Sequence, residues 1–290
     1  MVTMAAAACA DEIQALDKAA AALAGVDGAD AATRRAYLRL RQARLSGVLA
    51  ELREADVAVD AAVRRYPDWP DLSFLRASAD LDMHQPEVAL ARLEATQELA
   101  GSPAGLELRG AALEQLGQHS QAEDCLTRAL VADPSWQALA SLALVRAALG
   151  DREAADALYV RAEDELTAKQ MSAFAWVRAA RADLAAAAGD HEAAGAHLRV
   201  ASAAFAGYWL VEWREARLLS QQGRLDEAAT AYTAVRVRTG RPDLAQALGE
   251  VHRRRGDDEQ AARWLAIATA EYADSAARGE ALYRHHRDPR

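Results

Sequence analysis

One short pattern recurs along this chain and constrains its fold more than any other feature. A turn residue is followed five positions later by Ala, then four later by a bulky apolar residue and three later by a small one, as in Gly117, Ala122, Leu126 and Ala129. Seven copies occur at intervals of 33, 34 or 39 residues, with turn positions at Ala50, His84, Gly117, Gly150, Gly189, Gly223 and Gly256. A nearly fixed period of this length indicates an array of similar supersecondary units.

Each copy predicts two antiparallel helices joined at the turn. Glycine there lets the backbone leave the first helix in a left-handed conformation without steric cost. The alanine is expected where the two helices cross most closely, because a larger side chain would separate them. The 75 alanines among 290 residues favour helices, whereas two Ile and three Phe supply little β-propensity. The second helices are expected to end near Pro67, Gly101, Pro134 and Gly240.

The spacing of these turn, alanine and bulky positions resembles that of the tetratricopeptide repeat (TPR) family, as a degenerate array of the bacterial type. The resemblance implies an all-α fold, a right-handed α-solenoid of about seven TPR-like helical hairpins with capping helices. It places an N-terminal tail and capping helix in residues 1–35, the seven repeats in 36–275, and a C-terminal capping helix and tail in 276–290.

Several local expectations accompany this array. Residues 11–24 predict a helix outside the period, followed by a loop from Gly25 to Asp30 in which Asp30 is the next N-cap. The interval of 39 residues between the fourth and fifth copies predicts a lengthened second helix within residues 163–170. In the first helices of the fifth and sixth copies, the apolar stripe is expected to pass through Val177 and Leu184, and through Val211 and Leu218.

Charge and composition limit the classes of binding partner and the cellular compartment that we expect for this chain. The formal net charge of −9 argues against nucleic-acid binding, which needs a positive face. No apolar segment is long enough to span a membrane. The two cysteines, Cys9 and Cys125, favour a reducing compartment and hence the cytoplasm. The residues from Met4 to Cys9 weakly resemble a lipoprotein cleavage site, which would place a chain with a longer N-terminus in the periplasm or on a membrane.

Motifs for catalysis and metal binding are missing from the sequence, and we expect neither enzymatic activity nor a cofactor. No Gly-Lys-Ser/Thr of a P-loop, no Gly-x-Ser-x-Gly and no Cys-x-x-Cys occurs. His191 and His197 are six residues apart and would face different sides of a helix, so a zinc-protease pair is not formed. The adjacent His285 and His286 are interpreted as part of an exposed tail.

The resemblance also implies where a partner would bind. In TPR proteins the inner surface is lined by the second, fifth, ninth and twelfth residues of each unit. Counted onto this sequence, they give candidate binding residues Tyr37, Arg44, Phe74, Glu107, Trp176, Asp183, Leu210, Trp213, Arg217 and Glu250. The predicted function is a non-catalytic protein- or peptide-binding scaffold, and the alternatives are an envelope lipoprotein-like assembly adaptor or an accessory subunit of an enzyme complex. Partner identity and oligomeric state stay open.

One cluster stands out among these candidates. Leu210, Trp213 and Arg217 share one helical face, and their aromatic and Arg content is typical of an interaction hot spot. Packing between repeats explains such an aromatic residue equally well. Trp69, Trp136 and Trp209, which recur at the seams between units, are interpreted as packing residues.

Overall fold

The computed structural model describes residues 8–278 and residue 280. Within that part the chain forms sixteen helices and no strand. The helices are α1 (Ala8–Ala22), α2 (Ala29–Ser46), α3 (Leu49–Arg65), α4 (Pro70–Asp82), α5 (Pro86–Ala95), α6 (Gln97–Ala100), α7 (Pro103–Gln115), α8 (His119–Ala132), α9 (Trp136–Ala148), α10 (Arg152–Asp164), α11 (Met171–Ala187), α12 (His191–Ala204), α13 (Trp209–Gln221), α14 (Leu225–Thr239), α15 (Pro242–Arg254) and α16 (Asp258–Ala277). The all-α class is confirmed.

After α1 the helices follow one another as seven hairpins, beginning with α2 and α3 and ending with α15 and α16. In the second hairpin the returning helix is interrupted at Thr96, which divides it into α5 and the single turn α6. Among the described residues, none of the helices combines the length and apolar character that a bilayer crossing requires.

The repeat pattern predicts the interior of the hairpins correctly. The alanine five positions after each predicted turn, which we call the slot alanine, is buried in all seven copies: Ala55, Ala89, Ala122, Ala155, Ala194, Ala228 and Ala261. All five turn glycines have positive φ, and His84 takes the same left-handed conformation with φ 53°. The apolar stripe of the fifth and sixth hairpins is also confirmed, since Val177, Val211 and Leu218 are buried and Leu184 is half-buried.

The first hairpin departs from the prediction at its turn. The left-handed residue is Gly47 with φ 67°, not Ala50, which lies inside α3. Helix α3 therefore begins earlier, relative to its slot alanine Ala55, than the other second helices do. Helix α2 runs without a break across the expected boundary at residues 35 and 36, and Asp30 lies within its first turn instead of capping it.

The extra residues before the fifth hairpin are also placed differently from the prediction. Helix α10 keeps 13 residues and ends at Asp164, so the second helix is not lengthened. The additional length lies in the loop that follows and in α11, which has 17 residues against the 13 of α9 and α13. At the C-terminal end, α16 continues to Ala277, so the expected boundary at 275 falls inside a helix. His285 and His286 lie outside the described residues.

The chain divides into two compact units, and each is built from separate segments that alternate along the sequence. Of the described residues, the first unit holds 8–16, 41–53 and 178 onward, and the second unit holds 17–40 and 54–177. The core of the first unit includes a cluster of buried residues on α13, α14 and α15, among them Ala216, Tyr232, Val235 and Leu248.

The second unit contains a buried ion network. The side chains of Arg76 and Asp80 on α4 are only 5% and 4% exposed, and they pair with each other at 2.9 Å. Arg76 also pairs with Asp56 of α3, while Arg92 of α5 donates to Asp80 at 2.9 Å. Because each buried charge has an opposite partner, the network connects three consecutive helices without leaving a charge unpaired.

Candidate interaction surface

The strongest cluster of predicted binding residues lies on α11 and α13 of the first unit. Asp183 on α11 accepts a hydrogen bond from Arg214 Nε at 2.6 Å and a second one from Arg217, both on α13. The two guanidinium groups lie 5.5 and 5.2 Å from the ring centre of Trp213, on the same helix. One carboxylate therefore orients two arginines over one indole ring.

The aromatic residue of this cluster also packs against the hydrophobic core. Trp213 and Trp209 both pack, half-buried, against the core cluster of α13, α14 and α15. The packing interpretation of Trp209 is therefore supported, and Trp213 combines packing with partial exposure. The Arg217 side chain remains 36% exposed, so it is the member of the cluster most available to a partner.

Trp209 extends this surface at the start of α13. Its ring centre is 6.5 Å from that of Trp213, and the guanidinium of Arg241 lies 4.7 Å from it. Its indole N–H donates to the backbone carbonyl of Arg44 at 3.0 Å, one of the carbonyls at the end of α2 that lack an intrahelical partner. Gly47 lies directly against the indole, because a Cβ placed there would be 2.5 Å from three ring atoms.

The opposite side of α13 carries acidic groups. Burial, together with the nearby Glu212 charge, raises the pKa of Glu215 to about 7. Glu212 pairs with Arg238 of α14. At neutral pH, α13 thus presents arginine toward α11 and a partly protonated carboxyl group on another face.

The remaining predicted residues do not join this cluster. Leu210 is half-buried on α13, and Arg44 contributes its backbone carbonyl to Trp209. Glu250 is exposed on α15 and pairs with Arg253 one turn later. The second unit holds four others: Tyr37, Phe74, Glu107 and Trp176.

In the second unit these side chains belong to separate helices. Tyr37 is exposed on α2, with the Arg34 guanidinium 5.7 Å from its ring centre. Phe74 on α4 and Trp176 on α11 are half-buried. Glu107 on α7 accepts a hydrogen bond from Ser135 Oγ at 3.0 Å, while burial raises its pKa. Glu107 therefore joins α7 to the N-cap of α9, which is a structural contact between repeats.

Several residues of the surface were not predicted from the sequence. Arg214 was not among the candidates, although its side chain is only 11% exposed and bonds Asp183. The Asp183 contact has a signal in the sequence, because Asp183 and Arg217 are 34 residues apart, one repeat period. The contact of Gly47 with Trp209 has no such signal.

The described part of the chain shows no metal centre. Within residues 8–278 and 280, no three His, Cys, Asp or Glu side chains are grouped as metal ligands would be. Both cysteines are buried free thiols.

Comparison with known proteins supports the fold. No protein-family model and no curated protein sequence matches the chain. Its structure is similar to a chain of the APC/C hetero-tetramer Cut9–Hcn1, with a TM-score of 0.68, 13% identity, 94% of this chain covered and 53% of that one. A tetratricopeptide repeat protein from Parabacteroides merdae matches with a TM-score of 0.55, 16% identity and coverage of 83% of this chain and 92% of that one.

A third similar structure is the human IFIT1 dimer with PPP-AAAA, with a TM-score of 0.61, 15% identity and coverage of 89% of this chain and 69% of that one. This chain therefore spans about half the length of the Cut9–Hcn1 match and over two thirds of the IFIT1 match. At these identities the likeness concerns the fold. The protein is an array of TPR-like helical hairpins, as the sequence resemblance predicted.

Proposed function

We propose that this protein is a non-catalytic scaffold that binds a protein or peptide partner through the surface on α11 and α13 centred on Trp213. Arrays of helical hairpins present extended surfaces made from successive repeats. The observation that carries the proposal is the group of Asp183, Trp213 and Arg217, because it combines an aromatic ring, oriented arginines and partial exposure.

A protein partner fits this surface better than a nucleic acid does. The formal net charge of the chain is −9, and the arginines of the surface are already paired with Asp183. We place the protein in the cytoplasm on the basis of its two free thiols.

A single charge reversal tests the surface. Arg217→Glu places a like charge beside Asp183 and removes one guanidinium from Trp213, whereas Trp213→Ala would also disturb the core. The matched control is Arg253→Glu on α15, whose native side chain is 63% exposed and pairs with Glu250. Circular dichroism should show the same helicity in both variants.

The measurement is affinity capture on the full chain from its native cell, followed by mass spectrometry. We expect at least one protein captured by the wild type and by Arg253→Glu to be lost with Arg217→Glu. If Arg217→Glu retains every protein that the wild type captures, the α11–α13 surface is not the binding site.

A further inference from the structure

The first turn of α1 is hydrogen-bonded to the segment that joins α12 and α13 in the first unit. The backbone N–H of Cys9 donates to the Ala206 carbonyl at 3.2 Å, between α12 and α13. Ala206 lies between Phe205 and Tyr208, whose rings meet edge to face at 5.7 Å. Both rings are buried, and Tyr208 directly precedes the first residue of α13, Trp209.

Two side-chain contacts join this segment to α2. The Cys9 thiol is 2% exposed and donates to the Leu45 carbonyl at 3.7 Å. Glu12, one turn later, pairs with Arg41 of α2. Between residues 8 and 16, Cys9 and Leu16 are the buried side chains.

The pKa values of Tyr208 and Cys9 are both shifted by their burial. The pKa of Tyr208 is raised to about 12, mainly by burial, with a smaller contribution from Cys9 and an opposing one from Arg214. Burial also raises the pKa of Cys9 to about 11, with Glu12 as the second cause. The docked thiol is therefore held in its unreactive, protonated form.

A segment attached in this way opens more easily than the repeats. It lies outside the repeat period, and an isolated helix of its length is marginal in water even when it is rich in alanine. Its two buried side chains contribute much less apolar burial than the interlocked helices of a hairpin do. Local opening of the segment therefore costs less free energy than unfolding of the array.

We propose that Ala8–Leu16 is a releasable cover over a docking surface formed by Phe205 and Tyr208, which continues into Trp209 and Trp213, and that the partner presents a helix in its place. The contacts of the cover define the chemistry of that helix. It carries a small residue where Cys9 lies, a carboxylate three positions later to pair with Arg41, and a leucine seven positions later. Release of the cover is independent of the proposed scaffold function, whereas the replacement by a partner helix rests on it.

Alkylation of Cys9 by iodoacetamide in the full chain measures release of the cover. Cys125, buried on α8, is the internal reference for unfolding of the array. Glu12→Arg places two positive charges together and should increase the rate of Cys9 alkylation about tenfold, with Cys125 unchanged. The matched control is Asp11→Arg, an exposed acid in the same turn, which should leave the Cys9 rate within about twofold.

A charge swap completes this test. The double variant Glu12→Arg with Arg41→Glu should return Cys9 to its slow alkylation. Equal Cys9 rates in the Glu12→Arg and Asp11→Arg variants would overturn the releasable cover, as would a parallel acceleration of Cys125.

A labelled synthetic peptide copying residues 8–22, with Cys9→Ala, tests the replacement. By fluorescence anisotropy it should bind the Glu12→Arg chain about fivefold or more tightly than the wild type, because the native cover competes with it. Equal affinity for both chains would overturn the proposed replacement. Loss of capture with Arg217→Glu alongside equal peptide affinity would leave the scaffold proposal standing and this one refuted.

Discussion

Gly47 provides a sharp test of the contact between the first hairpin and α13. Replacing it with alanine has two separable effects. The residue has φ 67°, a conformation that L-residues rarely adopt. Its Cβ would also lie 2.5 Å from three atoms of the Trp209 ring, so the indole has to move.

The expected magnitude follows from these two effects. The left-handed conformation costs a non-glycine residue about 1 kcal/mol or somewhat more. Forcing an extra methyl group into a packed contact costs about 1–3 kcal/mol. Gly47→Ala should therefore lower the free energy of unfolding by about 2–4 kcal/mol.

Gly223 offers the matched control. It forms the turn of the sixth hairpin in the same unit, has φ 77°, and has no atom within 4 Å of the position that an added Cβ would take. Gly223→Ala therefore carries the conformational cost alone, about 1 kcal/mol. Urea denaturation followed by circular dichroism compares the two variants, and a Trp209→Ala background removes the ring that Gly47→Ala meets.

The excess cost at Gly47 should disappear in the Trp209→Ala background, because the methyl group then has space. Two results would refute this reasoning. One is equal destabilisation by Gly47→Ala and Gly223→Ala in the wild-type chain. The other is an excess cost at Gly47 that persists without the indole ring.

Two further predictions concern a carboxyl group and a packing position. Because the pKa of Glu215 is raised from 4.5 to about 7, the folded chain keeps a proton there that the unfolded chain has already released. The free energy of unfolding should therefore fall as pH rises through this window, by up to about 3 kcal/mol, and urea denaturation across it should show a weaker decline for Glu215→Gln. In α10, Ala155→Leu should destabilise the chain by about 1–3 kcal/mol or prevent folding, because Ala155 is fully buried. Ala157→Leu, at an exposed position of the same helix, should change thermal stability little, and equal effects would contradict the close helix crossing.

The fold was predictable where the sequence repeats. The buried slot alanines and the turn glycines follow from local geometry that each hairpin reproduces, so their spacing is sufficient to place them. The first hairpin departs from the pattern, and its turn contacts Trp209, 162 residues after Gly47. A periodic pattern carries no information about such a contact.

The candidate surface was predictable only in part. Trp213, Arg217 and Asp183 follow from counting positions within each repeat, and the contact of Asp183 with Arg217 follows from their separation by one period. Arg214 was not predicted because it directly follows Trp213 and falls outside the counted positions of its repeat. The burial of Arg76 was not predicted either, because arginine is rarely buried and this burial depends on carboxylates of neighbouring helices.

The equivalent turns at Gly117, Gly150 and Gly223 have a consequence for how such a chain can change length. Their φ angles of 70°, 86° and 77° are similar, and no atom lies within 4 Å of an added Cβ, so the three turns have the same local conformation and no side chain packed against them. These turns therefore place no obstacle of their own to the insertion or deletion of one repeat period, counted from one turn glycine to the next. The hairpin closed by Gly47 is not interchangeable in this way, since its turn is shaped to fit one particular tryptophan.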